Sequence, residues 1–282
     1  MKKWQRNICW LLLVGGLVLG FWLPTHMTPA IPDKYVAQRI PTFFFHGWGG
    51  SYRSEEQMTH AIQHAGVTQT IIRADVTTHG QVRLRQRLPR TARNPLIEVN
   101  FLDNRHADYQ LTSRWAAKVF QTVQQQYPFH KFNVVAHSMG NMTFMYYLVN
   151  HAAVQSAPQL NKQVALAGHF NGILGYDDRP NRMQLNAAGR PQPMNPEYRP
   201  LLSLRQTYPR SAAVLNIYGD RHDGTHSDGA VSNASSQSLR YLVRSRARSY
   251  REQKIVGTRA QHSQLHENSQ VDRLLINFLW RK

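Results

Sequence analysis

Hydrophobic positions along this 282-residue chain follow two periods in alternation. Short apolar runs of strand type cover 39–45, 70–76, 96–102, 131–137, 163–167, 212–218 and 250–256. Between them lie segments whose apolar residues recur three and four apart, the spacing of one helical face. Met58, Ala61, Ile62 and Ala65 form the first such stripe. Ser54 and Gln57 before it have the spacing of a capping box, Glu55 and Glu56 suit the positive helix end, and Gly66 stops the helix. Leu111, Trp115, Ala116, Val119, Phe120 and Val123 predict a second helix ending near Pro128. A third, over 139–149, is apolar almost all round and should be buried on most sides. Residues 238–243 read as a short helix, and Val271, Leu274, Leu275, Phe278 and Leu279 predict a final one.

Two stretches depart from this rhythm. After a turn at Gly80, Val82, Leu84 and Leu88 alternate with Arg83, Arg85 and Arg87, which predicts a strand with three arginines on its solvent face. Arg90 and Arg93 follow. Residues 171–200 are rich in Pro, Asn, Arg and Gly without a sustained period, the composition of a lid or mobile insertion. There is no internal repeat. Strands alternating with helices predict an α/β fold: a mostly parallel sheet covered by helices on both faces, with its active site at the carboxyl ends of the strands.

Composition and charge add a location and a class of partner. Hydrophobic residues make up 41% of the chain, enough for a sizeable core. Lys2, Lys3 and Arg6 precede a sixteen-residue apolar run from Ile8 to Leu23, and Thr28-Pro29-Ala30 offers small residues at a cleavage spacing. Residues 1–30 therefore read as an export signal or an uncleaved membrane anchor, 31–38 as a polar linker, and 39–282 as one domain. The single cysteine, Cys9, lies in that apolar run, so the exported part has neither disulfide nor thiol nucleophile. Thirty-four Lys and Arg against sixteen Asp and Glu give a net charge of +18, which favours polyanions or anionic surfaces. Export argues against nucleic acid and leaves membrane or cell-wall polymer as the anionic partner.

Candidate chemistry centres on Ala136-His137-Ser138-Met139-Gly140, where a strand gives way to the buried helix. That is the context in which a serine is presented on a sharp elbow as a nucleophile. Such a serine needs an imidazole to take its proton and a carboxylate to orient the imidazole, in the chain order Ser, acid, His. Asp220, Asp223 and Asp228 follow a predicted strand end, and His262 and His266 precede the last helix. His46-Gly47-Trp48-Gly49-Gly50 forms a glycine turn at another strand end, where His46 would hold the loop. The cluster His222, Asp223, His226 and Asp228 lacks helical ligand spacing, and no metal or other cofactor is expected.

These motifs, with Ser227-Asp228-Gly229-Ala230-Val231 and Gln261-His262-Ser263-Gln264-Leu265-His266-Glu267-Asn268, resemble the lipase-like α/β-hydrolases of Gram-positive bacteria described as cell-surface hydrolases. The resemblance runs from about Thr42 to the C-terminus. It implies the α/β-hydrolase fold, Asp228 as the acid and His262 as the base. Ala136 stands where that family more often has Gly, and Ser232 where Pro usually follows Val231. The backbone amides of Met139 and Trp48 are then the expected oxyanion donors. The leading expectation is an exported serine hydrolase acting on small-molecule or lipid-like acyl esters. The alternative is a non-catalytic surface protein that binds anionic polymer or membrane through Arg83, Arg85, Arg87, Arg90 and Arg93 together with Arg244, Arg246 and Arg248.

Overall fold

In the computed structural model, which describes residues 30–151 and 157–282, ten strands and seven helices follow in chain order. They are β1 (Thr42–Phe45), α1 (Arg53–His64), β2 (Ile71–Val76), β3 (Val82–Leu84), β4 (Leu96–Phe101), α2 (Tyr109–Gln126), β5 (Lys131–His137), α3 (Met139–His151) and β6 (Gln159–Leu166). Next come the two-residue strands β7 (Gln184–Leu185) and β8 (Pro191–Gln192), then α4 (Leu204–Thr207) and β9 (Ala213–Asp220). The chain closes with α5 (Asn233–Gln237), α6 (Leu239–Val243), β10 (Ser249–Val256) and α7 (Ser269–Trp280). The signal or anchor read over 1–30 lies, except for Ala30, outside the described residues. Among those described, no helix is long and apolar enough to cross a membrane.

Eight strands form one sheet in the order β10-β9-β6-β5-β1-β4-β2-β3, parallel except for the edge strand β3. β1 shows how the strand period builds two layers from one apolar run. Phe43 and Phe45 enter a core with α2, α3 and α6, whereas Phe44 enters the opposite core with α1 and α7. All three rings are fully buried, and each contributes about 1.5–3 kcal/mol. The predicted final helix docks through Val271, Leu275, Ile276, Leu279 and Trp280.

Several local expectations change. Ser54 is not the cap of α1: the helix begins after Tyr52 with no side-chain cap, and Ser54 Oγ instead accepts the Ser51 N–H at 3.4 Å. Glu55 stands in the first turn, at the positive helix end as expected, and is fully buried there. Residues 31–38 are not a free linker. Tyr35 is buried against the α1–α7 core, Val36 N–H donates to Trp280 O (2.9 Å), and Asn94 Nδ2 donates to Val36 O (2.7 Å). Ile31–Lys282 is accordingly one compact unit. Segment 171–200 is a folded excursion containing the β7–β8 pair, tied internally by Asn171 and Asn195.

Candidate active site

The chain leaves β5 at His137 and enters α3 at Met139, so Ser138 carries the whole reversal. Its φ of 49° lies in the left-handed region, unfavourable for a residue with a side chain and held only by its surroundings. Ser138 N–H donates to Leu166 O (3.0 Å), while Asn141 Nδ2 donates to both Ala136 O (2.8 Å) and Leu166 O (3.1 Å). Gly140 completes the elbow. A Cβ there would lie 2.5 Å from Phe45 O, so only glycine lets α3 start this close to β1.

Two loops from distant strand ends meet the serine. Ser138 Oγ lies 2.9 Å from His262 Nε2, and His262 Nδ1 lies 2.8 Å from Asp228 Oδ2. A carboxylate can only accept, so the ring proton sits on Nδ1 and Nε2 is free to accept from the serine hydroxyl. Asp228 is buried, with its second oxygen fixed by the N–H groups of Ala230 (2.9 Å) and Val231 (2.7 Å). His262 N–H donates in turn to Asp228 O (2.9 Å), which locks the two loops together.

The other candidates go elsewhere. Asp220 accepts from the His222 N–H, Asn233 Nδ2 and Lys254 Nζ. Asp223 accepts from Thr225, and His266 Nδ1 is 3.4 Å from Glu267 Oε1.

The glycine turn lies directly over the serine. A Cβ on Gly47 would stand 2.9 Å from Ser138 Cβ and 3.1 Å from His137 Nδ1. His46 holds this loop: Nδ1–H donates to Gly47 O (2.8 Å) and Nε2 accepts the Phe101 N–H (3.1 Å). The turn is further braced by Gly49 N–H to Asn104 O and Asn104 Nδ2 to Gly50 O, both 2.8 Å. Met139 follows the serine in the chain and Trp48 follows Gly47 in the turn, and neither backbone N–H has a protein acceptor among the described residues.

Ser138 and His262 open into a cavity of about 770 Å³. Met142, Phe170 and Ile173 give it an apolar wall, and the half-exposed Trp48 stands at its margin. The 171–200 segment supplies Gly172, Ile173, Tyr176, Asp177 and Glu197 to the lining. Periodicity gave no sign of two further lining groups, Tyr109 and His169, whose Oη and Nε2 are 3.0 Å apart. Nor did it show what Ser232, where the resemblance implied proline, does. Its hydroxyl donates to the buried Asp178 at 2.6 Å and accepts the Ser235 N–H that starts α5, fastening the excursion beside the Asp228 loop.

Four other imidazoles surround the serine end of the sheet. Burial drives His46 and His266 below the usual histidine range and His169 down to about 3. His137 is lowered further by burial and by its neighbours His262 and His266, whose rings lie 4.8 and 4.9 Å away. All four are therefore neutral near pH 7. His137 Nε2–H donates to His262 O at 3.1 Å, so a neutral ring packs beneath the histidine that faces Ser138.

Against known families, residues 30–282 match the one described as "Alpha/beta hydrolase of unknown function (DUF915)". The chain belongs to that family. Among solved structures it is similar to the product of the Listeria innocua gene lin2722, at 25% identity and a TM-score of 0.77, over 86% of this chain and 94% of that one. It is also similar in fold to a presumed cell surface hydrolase from Lactobacillus plantarum WCFS1, at 19% identity and a TM-score of 0.69, over 86% of this chain and 92% of that one. No curated protein matches its sequence. The architecture expected from the sequence is thus the observed one, an α/β-hydrolase fold.

Proposed function

We propose that this α/β hydrolase cleaves an ester or similar acyl bond through an acyl-enzyme on Ser138. The observation that carries the reading is the chain of contacts from Ser138 Oγ through His262 to Asp228 at the floor of an open cavity. In this scheme Ser138 Oγ attacks the acyl carbon as His262 Nε2 takes its proton. Asp228 stabilises the imidazolium, and the Trp48 and Met139 amides hold the tetrahedral oxyanion. Collapse expels the alcohol, which takes the proton from Nε2. Water, deprotonated by the same nitrogen, then releases the acid and restores the serine. Each oxyanion donor contributes about 3–4 kcal/mol in such sites. No cofactor enters the scheme.

The apolar wall of Met142, Phe170 and Ile173 favours small or lipid-like acyl groups, with the 171–200 excursion as one side of the acyl pocket. The basic start and apolar run of residues 1–30 support export to the cell surface, with or without retention of that segment as an anchor. Labelling with a fluorophosphonate, followed by hydrolysis of short p-nitrophenyl esters, tests the chemistry. Ser138→Ala is expected to abolish labelling and to lower turnover by about 10⁶-fold. Undiminished ester hydrolysis by that variant would overturn the proposal.

A further inference from the structure

The arginine-rich stretch after β2 does not form the flat face its alternation predicts. β3 stops at Leu84, because the chain then turns inward to bury Leu88 and Ala92, and Tyr127 Oη donates to Ala92 O at 2.8 Å. This bend sets Arg85, Arg87 and Arg90 around an open cleft of about 520 Å³, whose lining includes Gln86 and Gln126. One of the three guanidiniums is fixed in place. Arg85 Nε bonds to the buried Asp75, which also accepts from Asn100 Nδ2 at 2.8 Å and lies at ion-pair distance, 3.1 Å, from Arg73 Nε. The single negative charge of Asp75 is thus shared by two arginines. Arg87 and Arg90 are exposed and have no acidic partner at ion-pair distance among the described residues. The cleft therefore carries an excess of positive charge on a preorganised wall.

The other basic group does not extend this surface. Arg244, Arg246 and Arg248 lead into β10, at the opposite edge of the sheet from β3. Seven strand spacings separate the two edges, roughly 34 Å at about 4.8 Å each. Arg246 is also committed inward, donating to Tyr208 O at 2.9 Å. The two groups thus do not make one continuous basic face. The cleft is separate from the candidate active site as well. β3 runs antiparallel to β2 with Val76 opposite Val82 and Ala74 opposite Leu84, so the chain beyond Leu84 heads for the amino ends of the parallel strands. Ser138 stands at their carboxyl ends.

We infer that the Arg85–Arg87–Arg90 cleft is a binding site for the phosphate groups of a linear polyanion. Guanidinium forks match phosphate oxygens in pairs, and three of them around a concavity suit consecutive phosphates of a flexible chain better than a planar bilayer. Such a site would hold the protein on a phosphate-bearing polymer while the cavity over Ser138, at the other end of the sheet, stays open.

The test uses the full chain carrying Ser138→Ala, so that binding is read without turnover, and fluorescently labelled linear polyphosphate as the probe. Arg87→Gln with Arg90→Gln is expected to weaken binding at least about tenfold and to flatten the slope of log K against log salt by about 1–2. Arg244→Gln with Arg248→Gln is the matched control, expected to change affinity less than about twofold. Both pairs remove two exposed charges and leave the Asp75 contacts intact. Equal losses from the two pairs would mean diffuse attraction to a basic protein and overturn the site. So would tight binding to phosphatidylglycerol vesicles with no binding to polyphosphate, which would make the patch a lipid contact.

Discussion

Glu55→Gln is expected to remove much of the protein's loss of stability at rising pH. Glu55 is fully buried near the start of α1, and neither of its carboxyl oxygens has a hydrogen-bond partner among the described residues. Burial, reinforced by the nearby Glu98 carboxyl, pushes it from 4.5 up to about 8. In the unfolded chain the group loses its proton near 4.5, whereas in the native fold it keeps it until about pH 8. Across that window the native state binds more protons, so stability is fullest on the acid side and falls as pH rises. The distance from 4.5 to about 8 corresponds to about 5 kcal/mol at 1.36 kcal/mol for each pH unit, most of it lost between about pH 5 and 8.5. Burial also pushes Glu98 up to about 7, against the opposing hydrogen bond from Thr59, so the remaining slope has the same sign. Urea unfolding followed by tryptophan fluorescence from pH 5 to 8.5 measures the difference. Near pH 5 the two proteins should differ by a roughly constant 1–2 kcal/mol from the changed side chain. By pH 8.5 the Glu55→Gln protein should have gained about 4 kcal/mol relative to the wild type. Parallel profiles would refute the buried neutral carboxyl, because they require a Glu55 that ionises at its unfolded value.

Two further predictions concern the site. Asp228→Asn should lower kcat for ester hydrolysis by about 10⁴-fold, since the Ala230 and Val231 N–H groups hold the amide oxygen and leave its NH2 facing His262 Nδ1, which forces the ring proton onto Nε2. Retention of activity within about tenfold would move the acid elsewhere, with Asp220 the next candidate. Gly47→Ala places a Cβ 2.9 Å from Ser138 Cβ and must displace the turn carrying the Trp48 amide. A fall in kcat of about 10²–10³ with little change in KM is expected, and an unchanged kcat would remove Trp48 from the proposed oxyanion site.

Much of the architecture was legible because periodicity reports burial directly. Phe43, Phe44 and Phe45 are all apolar since the sheet is covered on both faces, and the all-round apolar helix after Ser138 is buried on nearly every side. The candidate site was legible for a related reason. Parallel strands put every carboxyl end on one rim, so motifs at three strand ends converge however far apart they lie in the chain. What escaped notice depends on side chains with no period. Ser54 has the right spacing for a cap, but the helix starts earlier, and Glu55 faces inward toward the sheet.

The sequence alone determined the alternation of strands and helices, a serine elbow followed by candidate aspartates and then candidate histidines, and the excess of positive charge, because each is a property of residue type and spacing. Tertiary structure decided which of three aspartates meets His262, since loop closure between β9 and α7 brings only Asp228 within 2.8 Å. It also turned an alternating arginine strand into a cleft and separated two arginine groups that composition could not tell apart, because burying Leu88 and Ala92 bends the chain away from the sheet edge. Local pattern fixes which side chains go inside. Where charged groups and the candidate catalytic groups meet is set by the closure of the whole sheet.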